Sequence, residues 1–391
     1  MKFRQEDEMT PLCRRKFLYQ LGGTTAASFA GSGLPSPIFG SRAARQKKIR
    51  IGQIGVGHAH AKKLEIYRRS PDYEVVGVVE EDAKLRKREQ MWPAYHDLPW
   101  MTEEQLLNVP GLDAVMVETR VRNLLDVAEV CIRAGKHIHI DKPAGQSLKQ
   151  FRRILDEASK RQLLVQLGYM YRYNPAIVML RDFLQKGWLG VPFEVHTVMS
   201  KVVGRESRRQ LAEYPGGIMF ELGCHLVDLV VSILGKPAAV IPFAQHSSSI
   251  KDGLVDNMLA VFKYEGMTAS IKSTAMEVEG FARRHLVLCG DEGTFHVQPL
   301  DNPSVRLALS KSRGIYQKGY QEIRFPKYTR FVDDAADMVR ILRGEKALIF
   351  RTNTTSPCKK LSLRHADYPL CDRSHQDDRS SSTKGAYSIK L

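Results

Sequence analysis

Glu221, His225 and Asp228 stand at i, i+4 and i+7 in the stretch Gly216-Gly-Ile-Met-Phe-Glu-Leu-Gly-Cys-His-Leu-Val-Asp-Leu-Val230. Wound as a helix at about 100° per residue, they share one strip. It lies beside the apolar face made by Ile218, Leu222, Leu226, Leu229 and Ile233. A carboxylate one turn from a histidine can hold one ring nitrogen and leave the other to exchange a proton. Two carboxylates and an imidazole could instead ligate iron or zinc. A charged strip beside an apolar face is also what the solvated edge of a helix looks like. Catalytic dyad, metal site and solvated edge are the three readings of these residues.

A second constellation is built from glycine. The alternating segment Lys48–Ile54 runs directly into Gly55-Val-Gly-His-Ala-His60, then a helical stretch Ala61–Arg69, then a strand Glu74–Val79 that ends at Glu80. In this β–turn–α–β unit Gly55 permits the tight turn, and Gly57 lets the backbone approach a pyrophosphate at a helix N-terminus. Glu80 can accept the ribose hydroxyls, and its charge repels a 2′-phosphate, so the pattern favours NAD over NADP. His60 occupies the third glycine position, where Ala59 and Ala61 relieve the crowding. His58 and His60 read as loop residues or cofactor neighbours, with no metal site expected.

The elements that must carry these residues alternate. Strands are expected at 112–117, 136–140 and 163–167, with helices at 123–134, closed by Gly135, and 148–160. That rhythm implies a doubly wound parallel sheet. It puts Thr119 just past one strand, as a cofactor-binding candidate. It puts Lys142, in Asp141-Lys142-Pro143, at the carboxyl end of another, where such sheets bind ligands. After Gly168 the rhythm changes. A helix at 176–186 is followed by β-like segments at 192–200, 238–245, 256–264, 267–275, 284–289 and 304–309, and residues 202–214 read as a loop. The fold class is therefore α/β: an N-terminal Rossmann domain plus a C-terminal α+β domain with a large, mostly antiparallel open sheet. The boundaries read as 1–46 signal and linker, 47–167 NAD-binding domain, 168–350 substrate and oligomerisation domain, and 351–391 a polar tail without helical period.

Together these motifs resemble the glucose–fructose oxidoreductase/inositol dehydrogenase/MocA family over about residues 48–350. The resemblance rests on the G-x-G turn with its acid, on Ala134-Gly-Lys-His-Ile-His-Ile-Asp141-Lys142-Pro143, and on Gly216-Gly217 through Glu221, Gly223, His225 and Asp228. It implies a nicotinamide cofactor, with Lys142 also near it, and a sugar or polyol substrate. It implies a catalytic set that falls on Lys142, Glu221 and His225, with Arg172, Tyr173, Asn174 and Asp228 on the substrate side. Glu221 stands where the family usually has Asp, Asp141 where it has Glu, and Arg120 and Leu124 where it often has Pro and His. The implied activity is oxidation of a CH–OH group. The alternatives are a redox-neutral NAD-dependent glycosidase or lyase and a non-catalytic sugar-binding protein.

The chain's net charge of +16 over 391 residues could suggest a nucleic-acid partner. Its distribution argues against one. Residues 1–50 carry ten basic and three acidic side chains, and residues 351–391 carry eight and four, so most of the excess lies at the ends and not on the body. No stretch after residue 50 is long and apolar enough to span a bilayer. The run Cys13-Arg-Arg-Lys-Phe-Leu-Tyr19, followed by a mild apolar segment, resembles a twin-arginine export signal, implying a periplasmic or extracytoplasmic protein loaded with its cofactor. Strands such as Met258–Phe262 and Leu286–Leu288 are apolar on both faces, so a homodimer or homotetramer is expected to cover the outer one.

Overall fold

The structure, a computed structural model, describes residues 47–348. The expected export signal and polar tail lie outside these residues. Among the described residues no helix is long and apolar enough to cross a membrane.

Six strands form the first sheet: β1 (Ile49–Ile54), β2 (Tyr73–Val79), β3 (Trp100–Met101), β4 (Ala114–Val117), β5 (His137–Ile140) and β6 (Val165–Leu167). All neighbours are parallel, in the order β3-β2-β1-β4-β5-β6. This is the doubly wound Rossmann order, with ligands expected beyond the carboxyl ends near the β1–β4 switch. The crossovers are α1 (Leu64–Arg69), α2 (Ala83–Glu89), α3 (Glu103–Leu107), α4 (Leu124–Arg133) and α5 (Leu148–Lys160). Central strand β4 reads as an unbroken apolar run because both its faces are covered: all four of its residues are buried. Helix α3 opens with a capping box between Thr102 and Gln105.

The second sheet has eight strands: β7 (Pro192–Val198), β8 (Ala239–Gln245), β9 (Asn257–Tyr264), β10 (Met267–Thr274), β11 (His285–Gly290), β12 (Gly293–Val297), β13 (Ser304–Leu309) and β14 (Gly319–Arg324). The order is β14-β13-β12-β11-β7-β10-β9-β8, and only β7–β10 is a parallel pair. Its inner face (Val195, Ile271, Leu286, Leu288, Phe295 and Leu307) packs on α6 (Pro175–Gln185) and α8 (Cys224–Leu234) in one core. Register places Ile241, Phe243, Leu259 and Val261 together on the opposite face, where Ile241 and Phe243 are half exposed.

Three features depart from the sequence reading. The expected loop at 202–214 contains a helix, α7 (Arg205–Ala212). Its buried side chains are Leu211 and Arg208, whose guanidinium bonds Asp252 and Asp256, so no apolar period announces it. The expected regular helix over 218–233 begins instead with a π turn, Met219–Gly223, before α8. Last, α9 (Val332–Leu342) follows the second sheet yet packs in the core of the first, where Ala335, Met338 and Val339 meet Ile51, Leu64 and Tyr73.

Candidate active site

The turn after β1 sits against the loop after β4. Gly55 has φ +89°, and a Cβ there would lie 2.6 Å from the Thr119 backbone nitrogen, so only glycine fits. Gly55, Gly57, Glu80 and Thr119 line one cleft, together with Glu81, Asp82, Arg120 and Arg122. The Glu80 carboxylate accepts the Val56 and Asp82 N–H groups, each at 3.0 Å. These bonds fix its position at the end of β2, and its remaining lone pairs stay available for ribose hydroxyls. The donor set and the glycine cradle fit a dinucleotide, with the adenosine half toward Glu80.

Lys142 does not line that cleft. Its ammonium donates to the Glu221 carbonyl at 2.9 Å and to Glu221 Oε1 at 3.3 Å. Burial opposes the charge on Lys142, but Glu221, Cys224 and Asp141 together more than offset it and raise the lysine pKa. Burial likewise opposes ionisation of Glu221, yet Lys142 and Lys201 hold its carboxyl down at about 2. The two form a partly buried ion pair, with Lys201 Nζ 3.9 Å from the second carboxylate oxygen.

His225 stands beside this pair on the first turn of α8, 3% exposed. The π turn inserts an extra residue between Glu221 and His225, and the carboxylate meets Lys142 rather than the imidazole. His225 Nδ1 is buried and has no hydrogen-bond partner among the described residues. Burial, then the Lys142 and His60 charges, push its pKa well below the ordinary histidine value, so the ring is neutral. Tyr169 and Tyr171 meet the ring edge-on, with centroids at 5.9 and 5.1 Å, and His60 lies 6.2 Å away. The Glu221–His225 dyad of the helical reading is thus replaced by a Lys142–Glu221 pair next to a neutral histidine.

The four expected substrate-side residues have protein partners. Arg172 Nε bonds both Asp228 oxygens at 2.9 and 2.8 Å, and both residues are buried. Asn174 caps α6 through the Ala176 N–H and donates to the Leu300 carbonyl, while the Tyr173 hydroxyl bonds Asp337. They brace the wall behind Tyr169 and Tyr171.

Family models match both halves of the chain: the NAD-binding Rossmann fold of the oxidoreductase family over residues 49–169, and the GFO/IDH/MocA C-terminal domain over residues 177–296. The chain belongs to the GFO/IDH/MocA oxidoreductase family. Its cofactor is NAD, and its chemistry is oxidation at a CH–OH group. Among curated relatives of this family, the chain is 24% identical to myo-inositol 2-dehydrogenase of Thermotoga maritima, over 60% of this chain and 71% of that one. It is 23% identical to the NAD(+)-dependent scyllo-inositol 2-dehydrogenase of Bacillus subtilis, over 68% and 78%. The fold is also that of the WlbA dehydrogenase from Bordetella pertussis, solved with NADH and UDP-GlcNAcA. There the TM-score is 0.62 at 17% identity, covering 77% of this chain and 90% of the other.

Behind the glycine turn lies a group of residues that sequence reasoning did not connect. The Lys63 ammonium is 2.5 Å from Asp141 and 2.8 Å from Glu118, and all three side chains are fully buried. His58 and His60 approach Asp141 at 3.3 and 3.2 Å, and His58 Nε2 lies 3.0 Å from the Lys142 carbonyl oxygen. Burial would raise the Asp141 pKa, but His58, Lys63 and His60 together hold it well below the carboxylate range. Burial wins at Glu118, which Lys63 only partly offsets, so its pKa is raised well above the carboxylate range beside the Lys63–Asp141 ion pair. Glu118, His139 and Asp141 have a metal-like spacing, but the lysine ammonium already supplies the positive charge there. This knot fixes the backbone from which Lys142 projects.

Proposed function

We propose that the protein oxidises a secondary alcohol of a sugar or polyol, with His225 as the base and Lys142 as the electrostatic partner of the reacting oxygen. The observation that carries the reading is the neutral, buried His225 with an unpartnered Nδ1 beside a charged Lys142. A hydroxyl placed between them loses its proton to His225 as the Lys142 ammonium stabilises the charge left on oxygen. Each effect is worth on the order of 10²–10⁴ in rate. Glu221 keeps Lys142 protonated and aimed. NAD, when bound, supplies the hydride acceptor. Tyr169 and Tyr171 narrow the space around the imidazole and exclude water, and Arg172, Tyr173, Asn174 and Asp228 form the braced wall on the substrate side. The inositol dehydrogenases among the relatives support a polyol substrate.

The reading extends to export by the twin-arginine route, in which a tightly held cofactor is recycled on the protein, and to a homodimer or homotetramer built on the outer face of the second sheet. Two measurements test the core of it. Denaturing the purified protein should release NAD into the supernatant. Inositols and common aldoses offered to the loaded protein should reduce that NAD, read by the absorbance of the reduced nicotinamide. A protein that binds NAD but reduces none of it with any polyol or sugar would overturn the substrate class.

A further inference from the structure

The cofactor cleft is short of positive charge. Its charged lining residues are Glu80, Glu81, Asp82 and Glu103 against Arg120 and Arg122. A dinucleotide brings an anionic pyrophosphate into this acidic surrounding. The glycine turn can meet only part of that demand, because most of its backbone donors are spent. The N–H groups of Gly55, Val56, His58, His60 and Ala61 bond Val79, Glu80, Glu118, His58 Nδ1 and the His58 carbonyl. Of the turn's donors, Gly57 and Ala59 remain. The helix behind the turn is weak as a dipole, too: a single 3₁₀ turn, Ala61–Lys63, precedes the six residues of α1.

The two arginines differ. Arg122 Nη1 is held by Glu213 at 3.3 Å. Arg120 has no ion pair or side-chain hydrogen bond among the described residues, and its side chain is exposed. Its stem lies over the turn, since a Cβ built on Gly57 would sit 3.2 Å from Arg120 Cγ. Its charge reaches the far wall of the cleft. The Asp82 carboxyl is held below the usual range first by the Leu85 N–H, then by Lys84 N–H, and also by Arg120. The Arg120 side chain thus lines the cleft with its stem against Gly57, and its charge acts across the cleft on Asp82 at the end of β2.

We propose that Arg120 is the residue that holds the dinucleotide's pyrophosphate and retards cofactor release. A guanidinium offers several donors in a fixed fork suited to phosphate oxygens. The chain thereby replaces backbone and helix-dipole contacts with a side chain anchored on the opposite loop. The inference rests on NAD binding and not on the catalytic reading, so it stands or falls independently of the substrate.

The test is a fluorescence titration of cofactor-stripped protein with NADH, with ADP-ribose and adenosine as competitors, and stopped-flow measurement of NADH release. Arg120→Ala should raise Kd for both NADH and ADP-ribose by about 10- to 100-fold, as expected for a lost charge-assisted hydrogen bond. Most of the change should appear as faster release. Adenosine should compete within about two-fold of wild type, and the difference should narrow as salt rises. Arg122→Ala, whose charge is already committed to Glu213, should change Kd by less than about three-fold. Arg120→Gln, which keeps the stem, should behave like Arg120→Ala and melt like wild type, separating lost charge from lost packing. Equal NADH affinity in wild type and Arg120→Gln would overturn the proposal. So would an equal loss for adenosine, which would place Arg120 on the base instead. A wild-type protein that binds neither NADH nor ADP-ribose would refute the NAD assignment itself.

Discussion

Replacing Lys63 with methionine removes the one ammonium from a fully buried group of ionisable side chains and leaves the volume nearly unchanged. In the native protein Lys63 lies 2.5 Å from Asp141 and 2.8 Å from Glu118, with no exposure on any of the three. Solvent screening therefore gives no discount. Taking one partner from a buried pair strands the other charge, at a cost of about 3–5 kcal/mol. For a protein of this size that corresponds to a drop in Tm on the order of 10 °C. Glu118 supplies the contrast. Burial raises its pKa well above the carboxylate range despite Lys63, which favours the neutral form, so Glu118→Gln should cost less than about 1 kcal/mol. Pairing Lys63→Met with Asp141→Asn should recover part of the loss, because the stranded charge is then gone. Urea unfolding followed by circular dichroism gives all four stabilities. If Lys63→Met costs no more than Glu118→Gln, the ion pair is not where the structure puts it, and the reasoning fails.

Lys142→Ala and His225→Ala should each abolish turnover while NADH titration stays within a few-fold of wild type; near-normal turnover in either variant removes that residue from the mechanism. Because burial pushes His225 well below the ordinary value of about 6.5, kcat/KM for oxidation should stay level as pH falls from 8 to 6.5 and decline only below that. An acid limb near pH 7 or higher would contradict a buried neutral base. Asp334 is buried with neither side-chain oxygen bonded among the described residues, and burial raises its pKa to about 7. A raised carboxyl pKa means the native state favours the proton, so the penalty on wild-type stability builds as pH rises from the ordinary value of 3.8, is complete above about 7, and is relieved progressively as pH falls from 7 toward 3.8. Asp334→Asn should therefore be more stable than wild type at pH 8.5, by an amount that shrinks steadily below pH 7 and vanishes only below about pH 4, read from urea midpoints. Phe243→Glu, on the half-exposed outer face of the second sheet, should convert the proposed homo-oligomer to monomers in light scattering; a wild-type protein that is itself a monomer would refute that interface.

The first sheet was legible because strands β1, β2, β4, β5 and β6 are rich in Ile, Val and Leu and each is followed by a glycine or a charged residue at the site. The short strand β3 and the edge strand β14 were not. Two residues make no pattern, and Gly319–Arg324 is polar and largely exposed along its length. Strand β12 was lost for a different reason: Gly293–Val297 follows β11 so closely that the two read as one segment and its turn. At the site, residue types were readable but their partners were not. A helical wheel assumes a regular rise, and one π turn was enough to send Glu221 to Lys142 instead of His225. The Lys63 pairs span 55 and 78 residues of sequence, with nothing local to connect them.

The return of α9 to the first sheet bears on how the protein is made. The Tyr73 hydroxyl bonds the Ala335 carbonyl, 262 residues later, and Gln166 bonds the Asp334 carbonyl. Until α9 emerges from the ribosome, Ile51, Leu64 and Tyr73 have an apolar face without its cover. The cofactor-binding half cannot complete its core when its own strands are finished; it waits for nearly the whole second sheet. Contacts this distant in sequence slow folding, since a long loop must close before they form. The nascent chain therefore carries an open hydrophobic face for most of its synthesis, which chaperones would recognise. A truncation before Val332 would leave that face permanently exposed.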